Sequence, residues 1–159
     1  MTLAVHPTNS NIVFARGTNL FRGTDGFETV SNVIRIGGYA TSGDYELYGN
    51  HHSDQHNLVF HPTNSNVAFS AHDGGLSRTE DVLAENVVWE NRDDNLVITQ
   101  FYHVSIPRST SRSIIGGTQD NGSPAFEIDE NGAVSESEDL SSGDGAFQYA
   151  GENGVFTSS

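Results

Sequence analysis

Apolar residues in this chain come in short runs that stop at Gly, Asn, Asp or Pro, the pattern of half-buried strands. Runs at 3–5, 12–15, 58–60, 67–71, 87–89, 102–106, 113–117 and 147–150 predict strands. No window keeps an apolar stripe at a 3.6-residue period for three turns, so nothing beyond a single helical turn at 82–86 is expected. Between the runs, Asp25-Gly26, Asp73-Gly74, Asn121-Gly122, Asn131-Gly132, Asp144-Gly145 and Asn153-Gly154 supply the positive φ of tight turns.

The pattern repeats. His6-Pro7-Thr8-Asn9-Ser10-Asn11 recurs unchanged as His61-Pro62-Thr63-Asn64-Ser65-Asn66, an offset of 61 − 6 = 55. Ile12-Val13-Phe14-Ala15 answers Val67-Ala68-Phe69-Ser70, and after a one-residue gap Leu20-Phe21-Arg22 answers Leu76-Ser77-Arg78. A weaker third copy runs from Val104-Ser105-Ile106-Pro107 to Ser113-Ile114-Ile115-Gly116-Gly117, and a fourth starts near Gly143-Asp144-Gly145-Ala146-Phe147. The hexapeptide reads as the turn between two strands, with Pro fixing φ and Asn and Ser satisfying local backbone groups. Short strands in units of roughly 50 residues fit four-stranded propeller blades. The expected fold is all-β, a partial β-propeller of about three four-stranded antiparallel blades. The blades are expected at 1–56, 57–100 and 101–145, with a fourth begun at 146–159. Because closed propellers carry four blades or more, the missing ones are expected from a longer parent chain or from another copy.

Composition narrows the partners. The 159 residues hold 21 acidic and 7 basic side chains, a formal charge of −14, which disfavours a phosphate backbone as ligand. Zero Cys excludes disulfides, thiolate metal sites and thiol nucleophiles. No apolar run is long enough to span a bilayer, so no membrane insertion is expected. The N-terminus lacks the basic-then-apolar pattern of a signal peptide.

Further motifs carry a family resemblance. Gly23-Thr24-Asp25-Gly26 through Thr29-Val30 resembles an Asp-box turn, and Thr79-Glu80-Asp81 with Trp89 resembles a second. Gly116-Gly117-Thr118-Gln119-Asp120-Asn121-Gly122 is the most specific stretch, followed by Gly143-Asp144-Gly145. Together with Asp54–Leu58, Asp73–Leu76 and Asn95–Tyr102 in the same order, the chain resembles BNR-repeat, sortilin-like propellers of the glycosyl hydrolase or sialidase-like kind over about residues 2–158. The resemblance implies a secreted setting, extracellular or periplasmic, and either carbohydrate binding or glycosidase activity. The boxes depart from the consensus: Gly23 stands for Ser, Phe27 for Gly and Val30 for Trp.

Three constellations could carry chemistry. In His51-His52-Ser53-Asp54-Gln55-His56, strand alternation would turn His52, Asp54 and His56 to one face, a set suited to zinc or non-haem iron. The alternative is an Asp that orients a His and caps a turn. Asp73, Asp120 and Asp144 sit in Gly-rich turns, and a propeller could gather Asp54, Asp120 and Asp144 at its channel, where a carboxylate pair could cleave a glycoside. Each could equally make only an Asx-turn beside its Gly. A sialidase is disfavoured, since Arg16, Arg22, Arg35, Arg78, Arg92, Arg108 and Arg112 occur singly and offer no carboxylate clamp. Tyr39, Tyr45 and Tyr48 in the Gly-rich insert at 37–49 are binding candidates, as are Gln100 and Gln119 within the family motifs. Trp89, Phe101, Tyr102, Phe126, Phe147 and Tyr149 read as filling between blades, with sugar stacking as the alternative. Calcium at the acidic 135–139 segment competes with a solvated loop. Asn121-Gly122-Ser123 matches a glycosylation acceptor.

A module that binds glycan or protein ranks first among the functions. A glycoside-hydrolase-like propeller with two carboxylates at the channel mouth comes second. A metal-dependent hydrolase built on residues 51–56 is third.

Overall fold

The computed structural model describes every residue except 42, 44, 108–111, 152, 153 and 159. The turn expected at Asn153-Gly154 and the side chain of Arg108 therefore fall outside the described residues. The fold is all-β and antiparallel, of the partial-propeller kind, with three four-stranded sheets and a two-stranded one among the described residues. The chain divides into two compact units, Met1–Leu96 and Val97–Ser159.

Unit 1 holds two meanders. The first is β1 (Thr2–His6), β2 (Asn9–Arg16), β3 (Leu20–Gly23) and β4 (Val33–Gly37), in that order across the sheet, with a 3-10 turn at Val30–Asn32 before β4. The second is β5 (Gln55–His61), β6 (Asn64–His72), β7 (Gly75–Thr79) and β8 (Glu90–Asn91), again in chain order. The identical hexapeptides do the same work in both. His6 pairs with Asn9 and His61 with Asn64, so Pro-Thr forms each two-residue turn. Thr8 and Thr63 each place a hydroxyl 3.3 Å from the Nδ1 of the turn's own His. Asn9 and Asn64 each accept the N–H two residues on, at 3.1 and 3.2 Å. The equivalence continues downstream, where Gly26 N–H donates to Asn11 O and Val82 N–H donates to Asn66 O, at 2.7 and 2.8 Å.

Alternation along these strands builds the core between the two sheets. Phe14, Leu20 and Ile36 of the first pack with Leu58, Ala68, Val82, Val87 and Trp89 of the second. Burying such side chains contributes roughly 1.5–3 kcal/mol each before entropy is subtracted. Polar arms stitch the same seam. Arg16 donates to Asn57 Oδ1 at 2.8 Å, and Arg22 donates to Val82 O and Ala84 O at 2.6 and 2.9 Å.

Unit 2 holds the third meander, β9 (Phe101–Ser105), β10 (Ser113–Thr118), β11 (Pro124–Glu127) and β12 (Glu138–Asp139). The two-stranded sheet follows, β13 (Gln148–Gly151) with β14 (Gly154–Thr157). Ala150 N–H donates to Ser105 Oγ at 3.0 Å, holding β13 against β9.

Two local expectations change. The run at 87–89 is not a strand: Val87 and Trp89 are buried in an extended approach to β8, and only Glu90 and Asn91 join the ladder. Residues 82–86 form a turn rather than helix, with Ala84 N–H on Asp81 O at 3.3 Å. Short strands rich in Gly and Arg, such as β3, escape an apolar-run reading because Arg22 points inward in place of a hydrophobe. No helix among the described residues is long and apolar enough to cross a membrane.

Candidate functional site

In unit 1 the His-rich segment splits by environment: His51 is fully buried, His52 half-buried and His56 exposed. β5 begins only at Gln55, and Asp54 sits at φ 59°, so the alternation that would align His52, Asp54 and His56 never starts. His52 donates from Nδ1 to Ser53 O at 3.1 Å, Asp54 accepts the Ser53 hydroxyl at 2.9 Å, and His56 Nε2 pairs with Asp73. Among the described residues no group of three or more His, Asp or Glu is arranged to hold a metal ion. The zinc expectation for His52, Asp54 and His56 and the calcium expectation for 135–139 thus find no ligand set, because local backbone and hydroxyl partners spread the first and the second is exposed strand edge and loop.

The residues that do converge are His51, His52, His72 and Trp89. His51 is fully buried, its ring 4.3 Å from that of Trp89 and 4.8 Å from that of His72. Gly38 N–H donates to its Nδ1 at 3.1 Å, so the ring proton sits on Nε2, a buried atom with no hydrogen-bond partner among the described residues. Gly37 makes room, since a Cβ there would lie 2.4 Å from His51 Nδ1. His72 Nε2 lies 2.8 Å from Ser77 Oγ, whose own proton goes to Asn50 O. Burial, with repulsion from His72, pushes His51 down to about 3; burial, with repulsion from His52, pushes His72 down to about 4. Burial keeps the His51 and His72 rings neutral at neutral pH. His72 escaped the sequence reading because it closes β6 just past the apolar run.

The Tyr-rich insert has three different fates. Tyr48 is core: its hydroxyl accepts the Val87 N–H at 3.2 Å. Tyr39 is half-buried and meets Tyr45 edge-on at 5.6 Å. Tyr45 itself is 84% exposed, a supported aromatic on the surface.

In unit 2 the Gly-rich motifs close on one another. Gly122 N–H donates to Gly143 O at 2.7 Å, and Gly145 N–H donates to Thr118 O at 2.8 Å. Asp144 Oδ1 accepts the Asp120 N–H at 2.9 Å, and Asp120 adopts φ 57°. The structure brings Asp120 and Asp144 together in this way, while Asp54 belongs to unit 1. Gln119 N–H donates to Gln100 O at 3.0 Å, so these two binding candidates are neighbours through their backbones. Ser123 is fully buried and bonded to Gln148 and Ser141, which leaves the Asn121 acceptor motif without an accessible hydroxyl. Of the aromatics read as filling, Trp89 is core, whereas Phe101, Tyr102, Phe147 and Tyr149 are exposed by 44–58%.

Gly122→Ala tests this closure. The position has φ 69°, and a Cβ would sit 2.0 Å from Ser141 O. The expected result is destabilisation of unit 2 by roughly 3 kcal/mol in urea unfolding, because strain and clash act together.

Three acids sit in third-to-fourth-strand loops of the three full sheets. Asp25 Oδ2 accepts Thr29 Oγ1–H, Asn32 Nδ2–H and Thr29 N–H at 2.6, 2.9 and 3.1 Å. The Thr29 hydroxyl, then the Asn32 amide, hold its pKa below the usual carboxylate value. Asp81 accepts Leu83 N–H at 3.0 Å. Asp129 accepts the N–H groups of Ala133 and Asn131, both at 2.8 Å, which lowers its pKa likewise. Asp129 was missed from sequence, although Asn131-Gly132 two residues on marked the turn it organises. No family model matches the chain, and no curated protein matches it.

Proposed function

We propose that this chain is a BNR-type propeller module that binds a glycan or protein ligand and does not cleave it. The observation that carries the reading is the use of its acids: Asp144 caps the Asp120 amide, Asp54 takes the Ser53 hydroxyl, and Asp25, Asp81 and Asp129 tie down loops. Carboxylates committed to backbone and neighbouring hydroxyls are poorly placed to act as a protonated acid and a free nucleophile. Tyr45, an exposed ring backed by Tyr39, is the ligand-contacting residue of choice.

The test is a screen of plant and marine polysaccharides and cell-surface proteins for retention, with reducing-sugar release measured in parallel. Retention without release is expected, and Tyr45→Ala is expected to weaken it about tenfold, ~1.4 kcal/mol. The second reading, a glycoside hydrolase using Asp120 and Asp144, is favoured only by their adjacency. Sugar release abolished by Asp144→Asn at unchanged melting temperature would establish it, since Asn keeps the acceptor oxygen and removes the charge.

A further inference from the structure

The sequence holds three Asn-Gly pairs, at 121–122, 131–132 and 153–154. Asn before Gly is thermolabile, because the next backbone nitrogen can attack the side-chain amide and Gly has no Cβ to obstruct the approach. The attack needs two freedoms. The Gly N–H must be released, and the Asn backbone must rotate to bring that nitrogen onto Cγ. Asn153 lies outside the described residues. The other two pairs differ in both freedoms. At 121–122 both are withheld. Gly122 is buried, and its N–H donates to Gly143 O at 2.7 Å. The Asn121 amide is itself tied to Gln119 O at 2.9 Å. A Cβ at Gly122 would lie 2.0 Å from Ser141 O, so the backbone has no room to turn.

The pair at 131–132 stands at the tip of the loop between β11 and β12. Asn131, Gly132 and Ala133 are exposed there, and a Cβ at Gly132 would meet nothing within 4 Å. Gly132 N–H donates within its own turn, to Asp129 O at 3.1 Å, and the Arg112 guanidinium donates to that same oxygen. A shared acceptor holds the Gly132 N–H weakly. The stronger hold is the Asp129 carboxylate, whose Oδ1 accepts the Asn131 and Ala133 N–H groups, both at 2.8 Å. The Asn131 side-chain amide bonds the same carboxylate. Unlike Asn121, then, Asn131 is restrained by one side chain of its own loop.

We propose that Asn131 is a site of spontaneous deamidation and that the Asp129 clamp sets its rate. The Gly132 nitrogen loses its proton and bonds to Asn131 Cγ. The Cγ–N bond of the side-chain amide breaks and ammonia leaves, giving a cyclic imide. Water opens the imide at either carbonyl and leaves aspartate or isoaspartate at 131. Isoaspartate carries the main chain through its side-chain carbon, which lengthens the turn by one atom. Either product sets a second carboxylate beside Asp129, and the two repel, so the hairpin of β11 and β12 loosens. The site is independent of what ligand the module takes.

Incubating the folded full chain in mildly alkaline buffer, digesting samples over time and weighing the peptides tests this. Residue 131 is expected to gain the one mass unit of an amide turned acid at least about tenfold faster than residue 121, which must wait for local opening. Isoaspartate is recognised by the resistance of its bond to an Asp-specific protease. Gly132→Ala should slow the change about tenfold, since a Cβ then obstructs the attacking nitrogen. Asp129→Ala, which frees two N–H groups, should speed it about threefold or more, and Asp129→Asn, which keeps an acceptor oxygen, should fall between. Melting curves confirm that each variant stays folded during the incubation. Equal rates at 131 and 121, a Gly132→Ala chain that reacts as fast as the parent, or a rate unmoved by both Asp129 variants would each overturn the proposal.

Discussion

Lowering the pH from about 6.5 toward 4 is expected to melt unit 1 selectively, because its buried histidines cannot take up protons while folded. An imidazole in the unfolded chain protonates near 6.5; folded His51 resists to about 3 and His72 to about 4. Between these values the unfolded state binds more protons, so stability is intact above 6.5 and falls as the pH drops. Burial is the largest cause for His72; His52 and His56 lower its pKa further, while Asp93 and Asp73 raise it and oppose part of the shift. Each pKa unit corresponds to about 1.4 kcal/mol. With most of the shift discounted for solvent screening and relaxation, a loss of about 2–3 kcal/mol by pH 4 remains. For a unit of this size that lowers the melting temperature by roughly 10–15 °C. Circular dichroism melts at stepped pH read it directly. His51→Asn, which keeps an acceptor for the Gly38 N–H without the basic group, should flatten the slope. A melting temperature indifferent to pH across this window would contradict the buried cluster. The depressed carboxylates Asp25 and Asp129 act in a separate, lower window, losing their contribution as the pH falls through and below about 3.8.

Trp89→Ala is expected to destabilise unit 1 by about 3–5 kcal/mol, the cost of emptying a large core site. Trp89 is 2% exposed, stacks near His51, and donates from Nε1 to Ile36 O at 2.6 Å across the seam. Trp89→Phe separates the contributions. It retains most of the volume and strands the Ile36 carbonyl, so roughly 1–3 kcal/mol should be lost. Because Trp89 is the single tryptophan, its fluorescence reports unfolding in the parent chain, and amide circular dichroism must report it in the variants. A Trp89→Ala protein as stable as the parent would place the ring outside the core.

The fold was legible where residue identity and period agreed. The hexapeptides at 6–11 and 61–66 are both hairpin turns, because Pro sets φ and Asn and Thr bond locally whatever surrounds them. Strands with one buried apolar face, such as β2 and β6, follow from alternation. Hidden from this reading were strands whose inward side chains are polar. Arg22 in β3 and Ser77 in β7 are buried only because the facing elements offer carbonyls or a His ring. The site was legible only in part. The sequence groups Asp54, Asp120 and Asp144, whereas only Asp120 and Asp144 meet within unit 2, and that Asp144 caps the Asp120 amide rests on a 2.9 Å contact that spacing does not reveal. The metal face at His52, Asp54 and His56 assumed a strand that begins one residue too late for Asp54, whose positive φ breaks the alternation. Tyr48 and Tyr45 looked alike in sequence and are opposite in environment, since Val87, far along the chain, claims the Tyr48 hydroxyl.

The chain has no Cys, so a single engineered pair can probe the repeat without competing thiols. Thr8 and Ser65, one from each identical hexapeptide, bring their hydroxyl oxygens to 3.3 Å across the seam. Replacing them as Thr8→Cys with Ser65→Cys and oxidising dilute protein should give a quantitative disulfide within one chain, read by non-reducing mass analysis after proteolysis. Free thiols, or links formed only between chains, would mean that the two hexapeptide turns do not face each other and that the stacked-sheet architecture of unit 1 is wrong.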